Sequence, residues 1–326
     1  MANQFPWMKQ RNLLVKKEAI TSPNYGRKPE ERSTKELLDY GIVNIDKPSG
    51  PSSHQVSAYV KKILRIEKSG HSGTLDPKVT GVLPVALGKG TRIVQSLLTA
   101  GKEYVCLMQV HADVDEKKLR DTINKFVGEI DQLPPVRSAV KRQQRKRTIY
   151  YIDIIEIIKR ETLFRIGCQA GTYIRKLCSD IGKELGTGAH MAELRRTRAG
   201  PFDETTLCTL QELADAYYYY KEKNDEKELR RLIMPVEAGT AHLAKAWVLD
   251  STVDTLCHGA YLNVPGISKI EQGINPGDKV AVMTLKGELV SIGIAYMHSE
   301  DVIKKDKGLF LKPEQVFMEP GTYSKM

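Results

Sequence analysis

Asp76 stands in the run Gly70-His71-Ser72-Gly73-Thr74-Leu75-Asp76-Pro77, which continues through Thr80-Gly81-Val82-Leu83-Pro84 and holds one acid among glycines, prolines and apolar residues. A carboxylate held in such a place can act as a nucleophile and split one difficult bond exchange into two easier steps. Glycines on both sides of the acid, with proline directly after it, suit a sharply bent loop that another chain can approach at backbone distance. An ordinary Asp-Pro turn has the same composition, so the loop alone does not decide between them. Arg175 is the second candidate. Residues 163–186 read as strand, turn and helix, with Gly171 in the turn, Thr172 as N-cap and Gly186 as the stop. Ile174, Leu177, Cys178, Ile181 and Leu185 form one apolar helix face, which places the Arg175 guanidinium on the first turn. The helix dipole disfavours a cation there by up to ~1 kcal/mol, so an anionic partner would offset a real cost. An arginine lying along the surface is the alternative.

The elements that must carry these groups follow from apolar spacing. Val56, Tyr59, Val60 and Ile63 recur at helical intervals after Ser52 and Ser53, either of which can cap the helix leading into the acid loop. Ile93, Val94, Leu97 and Leu98 predict a short helix, and Leu119, Ile123, Phe126 and Val127 another. Tyr104, Cys106, Met108 and Val110 alternate as a buried strand does, putting Tyr104 near its start. Residues 149–158 read as a β-branched strand. Beyond Thr209 a charge-rich helical region runs past Tyr217 and Arg231 to Met234-Pro235. Four consecutive tyrosines, Tyr217 to Tyr220, point in different directions on a helix, which predicts packing on both of its sides. From Ala246 short apolar runs at 280–283, 289–295, 309–311 and 316–318, punctuated by Pro265-Gly266, Pro276-Gly277-Asp278 and Gly287, have the texture of a small β-barrel.

With 326 residues, 41% of them hydrophobic, the chain can build two cores. A net charge of +10 and a pI near 9.2 favour a polyanionic partner, because Lys and Arg release counterions when they meet phosphate. The longest apolar stretch is broken by Asp153 and Glu156, so no membrane span is expected, and the first residues do not read as a secretory leader. Five widely spaced cysteines without a CxxC pair predict reduced thiols and no zinc site. No phosphate-cradling glycine run and no HExxH motif occurs, and no cofactor or metal is expected. Two basic clusters are candidates for phosphate contact: Lys141, Arg142, Arg145, Lys146 and Arg147, and the trio Arg195, Arg196 and Arg198. A solvated surface is the alternative for each. Residues 1–33 read on their own as a flexible basic arm.

Further motifs occur in order: Gly41-Ile42-Val43-Asn44-Ile45-Asp46-Lys47-Pro48-Ser49-Gly50, Lys102-Glu103-Tyr104-Val105, Gly171-Thr172-Tyr173-Ile174-Arg175 and Leu194-Arg195-Arg196. Together with the acid loop they resemble the pseudouridine synthases of the tRNA TΨC loop and their relatives, the dyskerin-type catalytic subunits of box H/ACA guide ribonucleoproteins. The matches span 40–213, and the C-terminal stretch resembles the RNA-binding PUA module. The resemblance implies an α/β (α+β) fold: a mixed-sheet catalytic domain over 34–240, a PUA barrel over 241–326 and an extension over 1–33 packing on that barrel. It implies isomerisation of uridine in RNA, with Asp76 as nucleophile or base, Arg175 as its partner and Tyr104 as base-stacking and late proton-transfer group. His71 would enter the vacated base position, Leu194 would lie beneath the uracil and Lys47 would brace the site. Gly259, Ala260, Pro265 and Gly266 would belong to a strip along which RNA lies.

Between Val110 and Lys141 the connection passes quickly into a helix, where stand-alone tRNA enzymes carry a longer insertion. Eukaryotic dyskerins carry a Lys-rich tail, while this sequence stops at Met326. Both details resemble an archaeal guide-dependent form. The implied partners are an H/ACA guide RNA, substrate rRNA or tRNA, and two small accessory proteins, one of the glycine-arginine-rich type and one of the small nucleolar type. A kink-turn-binding protein would be reached through the guide. A cytoplasmic setting is expected, or a nucleolar one in a eukaryote. The rival readings are a stand-alone tRNA enzyme and a catalytically inactive RNA scaffold, and the intact Asp76, Tyr104 and Arg175 speak against the scaffold.

Overall fold

A computed structural model describes residues 4–133 and 143–324, so Lys141 and Arg142 lie outside the described residues. The chain divides into two compact units. One comprises residues 4–8, 43–86, 94–133 and 143–232, the other 9–42, 87–93 and 233–324.

The first unit is built on a mixed sheet. Its order is Gly41–Lys47, Thr80–Leu87, Ala189–Ala199, Lys102–Val110, Glu161–Cys168, Arg145–Ile158 and Gly128–Gln132. Thr80–Leu87 and Ala189–Ala199 run parallel, and each later neighbour pairs antiparallel. Lys102–Val110 alternates as its sequence predicts, with Tyr104, Cys106, Met108 and Val110 buried. They pack in one cluster with Leu177, Cys178, Ile181 and Leu185 of the helix Ile174–Leu185, and with Leu119 and Ile123 of Glu116–Asn124. Each such large apolar side chain contributes about 1.5–3 kcal/mol on burial. That cluster fixes the strand bearing Tyr104 against the helix bearing Arg175.

Several predicted boundaries shift. Glu116–Asn124 ends before Phe126 and Val127, and Val127 is exposed. Tyr173, not Thr172, is the N-cap of Ile174–Leu185; the Thr172 hydroxyl donates instead to the Gln169 carbonyl at 2.7 Å. Gly186 closes this helix at φ +78°. The helical region after Thr209 splits into Leu210–Glu222 and Lys227–Leu232, with Asn224 between them in the left-handed region at φ +52°. Tyr217 is buried while Tyr218 and Tyr219 are half-exposed, so that helix is not packed on both sides. Near the N-terminus, Phe5 stacks on Trp7 at 4.4 Å and meets Tyr150 and Tyr151 edge-on.

The second unit holds a seven-stranded sheet in the order Leu13–Val15, Ile267–Glu271, Ala244–Val248, Lys279–Thr284, Leu289–Ala295, Leu309–Val316, Leu262–Asn263. The run predicted at 309–311 opens a longer strand, Leu309–Val316, and the strand predicted at 316–318 does not form, since Phe317 and Met318 lie beyond its end. Leu13–Val15 pairs antiparallel with Ile267–Glu271, and Thr21 and Ser22 bond the Asp250 carboxylate. Arg32 grips Glu237 with two bonds of 2.7 and 2.8 Å. Among the described residues no helix is long and apolar enough to cross a membrane.

Candidate active site

The acid loop joins the helix Ser53–Leu64 to the strand Thr80–Leu87. Ser52 caps that helix through a capping box with Gln55, and Ser53 turns inward to accept from the Leu75 amide at 2.8 Å. Gly81, at φ +101°, pairs with Arg196 so closely that a side chain would collide with the Arg196 carbonyl. Beneath the loop the fully buried Lys47 donates to the carbonyls of Pro48, Pro77 and Val79 at 2.9, 2.9 and 2.8 Å. The backbone after Asp76 is therefore tied down. A buried ammonium with all three protons bonded is satisfied, although burial and the nearby Arg196 still push Lys47 below its ordinary value.

On this support the Asp76 side chain remains 54% exposed, and Arg175, 61% exposed, reaches it with Nη2 at 2.6 Å from Oδ2. The two residues are brought together from 99 positions apart. An ion pair so open contributes only ~0–1 kcal/mol to stability, so the fold does not need it. The pair supplies a charged, oriented carboxylate at a surface that a polymer can reach.

Tyr104 is buried, and Arg196 lies against its phenol. Burial pushes the Tyr104 hydroxyl above its ordinary value, and Arg196 opposes that shift. Leu194 packs on the cluster containing Leu75, Val79 and Tyr104. His71 is half-buried, with Nε2 3.3 Å from His54 Nδ1. Burial, then His54, then Arg196 push His71 down to about 4. The unfolded chain takes up a proton near pH 6.5 that the folded site refuses until about pH 4. Folded-state stability is thus present above pH 6.5 and lost as pH falls through this window. His71→Asn should lose less stability than the wild type between pH 7.5 and 4.5. Urea melts at both values test this, and equal losses would contradict it.

The arginine trio does not form the expected basic surface cluster. Arg195 bonds Asp46 at 3.0 and 3.1 Å and Glu204 at 2.7 Å, and Arg198 bonds Asp203 at 2.7 Å. Arg196 is 1% exposed. Their strand, Ala189–Ala199, alternates faces, which sends the middle arginine inward. Sequence reasoning also missed Lys102, whose Nζ donates to the carbonyls of Leu97, Leu98 and Ala100 at 3.0, 2.8 and 2.6 Å. Burial and then Arg196 push this lysine down to about 7. Of the other basic cluster, Lys146 pairs with Glu129, while Arg147 lies beside Gly171, just before the helix of Arg175. Arg145 starts the same strand and is half-buried.

Gly259, Ala260, Pro265 and Gly266 belong to the other unit. The first three are exposed, Gly259 at φ +84°, while Pro265 and Gly266 sit in the turn Val264–Gly266.

Comparison with known proteins places this geometry in a family. A family model described as the TruB family pseudouridylate synthase N-terminal domain matches residues 61–174, and the tRNA pseudouridylate synthase B C-terminal domain matches 175–240. A DKCLD domain matches 2–57 and a PUA domain 244–317. The chain is 53% identical over 322 residues to the probable tRNA pseudouridine synthase B of Methanopyrus kandleri, covering 99% of this chain and 95% of that protein. It is 54% identical to the Pyrococcus furiosus protein of the same description, over 97% of this chain and 94% of the other. Among solved structures it resembles a chain of a Cbf5-Nop10-Gar1 complex, with TM-score 0.95, 53% identity and 99% of both chains covered. A chain from an H/ACA RNP bound to a substrate RNA containing 2'-deoxyuridine follows, with TM-score 0.92, 51% identity and again 99% of both. The protein belongs to the TruB family of pseudouridylate synthases, in the form that joins a mixed α/β catalytic domain to a C-terminal PUA domain, and is an RNA pseudouridine synthase.

Proposed function

We propose that this protein converts uridine to pseudouridine at guide-selected positions as the catalytic subunit of an H/ACA particle. The Asp76–Arg175 pair carries the reading, since it presents an oriented carboxylate on a braced loop at an exposed surface. A uridine flipped from its stack would meet Asp76 with the apolar surface of Leu194 and the Tyr104 ring nearby, offsetting the lost stacking. Asp76 then supplies the electron pair that frees uracil, either by bonding the sugar C1′ or by taking a sugar proton in a glycal route. The released base turns, its C5 bonds the sugar, the C5 proton leaves and N1 is protonated, so the net change is an isomerisation. Tyr104 would carry that late proton. His71 fills the space the base has left.

Two observations favour a guide over direct recognition. The chain matches chains solved in an H/ACA RNP, over 99% of both lengths, and in an archaeal box H/ACA sRNP complex, over 98% of this chain and 99% of the other. Only residues 111–115 separate the strand Lys102–Val110 from the helix Glu116–Asn124, leaving little there to grip a substrate. The particle would comprise the guide RNA, a substrate rRNA or tRNA strand, two small accessory proteins and a kink-turn-binding protein held through the guide. The PUA domain would hold the guide's end along the strip containing Gly259, Ala260, Pro265 and Gly266. A stand-alone tRNA enzyme is the second reading, favoured by the description that the curated relatives carry. The test compares conversion of an rRNA-type strand by the protein alone, with guide RNA, and with guide plus accessory proteins. Rates should rise across the three, because positioning can lower a barrier by roughly 7–11 kcal/mol in favourable cases. Equal rates in all three would overturn the guide-dependent reading.

A further inference from the structure

We infer that Arg196 is a positioning residue of this active site, holding the loop that carries Asp76 and setting the phenol of Tyr104. The inference rests on the reading of Tyr104 as the proton-transfer group.

Arg196 is among the largest fully buried side chains of the protein. A guanidinium stays charged in a protein interior, and burying it costs several kcal/mol unless its donors and its charge are matched. Among the described residues no carboxylate pairs with it; the hydroxyl of Tyr104 is the one acidic group against it. Its remaining bonds go to carbonyls, Nε to Val82 at 2.7 Å and Nη2 to Gly73 at 3.3 Å. These two carbonyls flank Asp76, three residues before it and six after. One rigid planar fork therefore spans the loop. Strand pairing sets the third contact, since Tyr104 and Arg196 stand directly opposite in the antiparallel ladder Lys102–Val110 with Ala189–Ala199.

Stability does not account for this arrangement. Lys47 and Lys102, also buried, lie close enough for Arg196 to repel both, and apolar groups of similar volume would fill the space at less cost. The neighbouring Arg195 is paired with two carboxylates, as an arginine retained for ion pairing is. What a cation supplies at position 196 is a fixed loop and a favourable field for negative charge on the phenol as its proton moves.

The test uses Arg196→Lys and Arg196→Gln, each with Tyr104 intact and with Tyr104→Phe, in the particle assembled from guide RNA, substrate and accessory proteins. Single-turnover rates are read from pH 6 to 9, alongside RNA affinity and thermal melting. With Tyr104 intact, Arg196→Lys should slow conversion by about 30-fold, within the range over which contacting residues couple, and move the alkaline limb of the pH profile upward. In the Tyr104→Phe background the further loss should be at least about threefold smaller, leaving only the share carried by the bonds to the Gly73 and Val82 carbonyls. Equal fractional losses in both backgrounds, an unmoved pH profile, or loss of the folded state in both variants would overturn the proposal. An unchanged rate for Tyr104→Phe alone would overturn the reading of Tyr104 itself, and the phenol-setting role with it.

Discussion

Asp76→Ala should lower the single-turnover rate of isomerisation by on the order of 10⁴-fold or more, the scale seen when an essential nucleophile is removed. RNA affinity should stay within about twofold, because the lost group is an anion that makes no favourable contact with phosphate. Structure should survive as well. The carboxylate is half-exposed and its ion pair adds little to stability, while the loop is held by Lys47, Ser53 and Arg196 through backbone atoms that the substitution leaves alone. Rapid mixing of excess particle, assembled with guide RNA and accessory proteins, with labelled substrate RNA gives the rate, and a melting curve of the protein checks the fold. Turnover within tenfold of the wild type would remove Asp76 as the essential group.

Arg175→Lys is the second large effect. The substitution keeps the charge on the first turn of Ile174–Leu185 but replaces a planar fork with a mobile point charge. Nη2 meets Oδ2 at 2.6 Å, and an ammonium on a differently shaped stem does not reproduce that direction. The expected loss in rate is roughly 10²–10³-fold, the size of removing one preorganised electrostatic group, with RNA affinity nearly unchanged. An unaltered single-turnover rate would show that Arg175 does not orient the nucleophile.

The parts of this site that were legible in the sequence are those written as local pattern. Alternation from Tyr104 to Val110 gave a buried strand, and the apolar face from Ile174 to Leu185 gave the helix that starts beside Arg175. Glycine spacing marked the acid loop, where Gly73 and Gly81 take up φ +124° and +101°. The missed parts were long-range. Nothing local distinguishes Arg196 from Arg195, yet one is buried against Tyr104 and the other pairs with Asp46 and Glu204. A strand assignment over 189–199 would have supplied the signal, because adjacent residues of a strand face opposite ways. Lys102 was hidden for a similar reason: its partners are carbonyls at the end of the short helix Val94–Thr99, which no side-chain pattern announces. The four tyrosines misled in the other direction, since a helix at the rim of a unit leaves part of its aromatic surface in solvent.

Exchange of the guide tests the central claim most directly. The protein is assembled with its accessory proteins and one of two guide RNAs that differ only in the pairing segments, then offered an equimolar mixture of two strands, each matching one guide. Pseudouridine is mapped at nucleotide resolution in both strands. The account predicts modification at the uridine selected by whichever guide is present, and none in either strand when the protein carries Asp76→Ala. Modification of the same uridine under both guides, or equally fast modification with no guide, would contradict it.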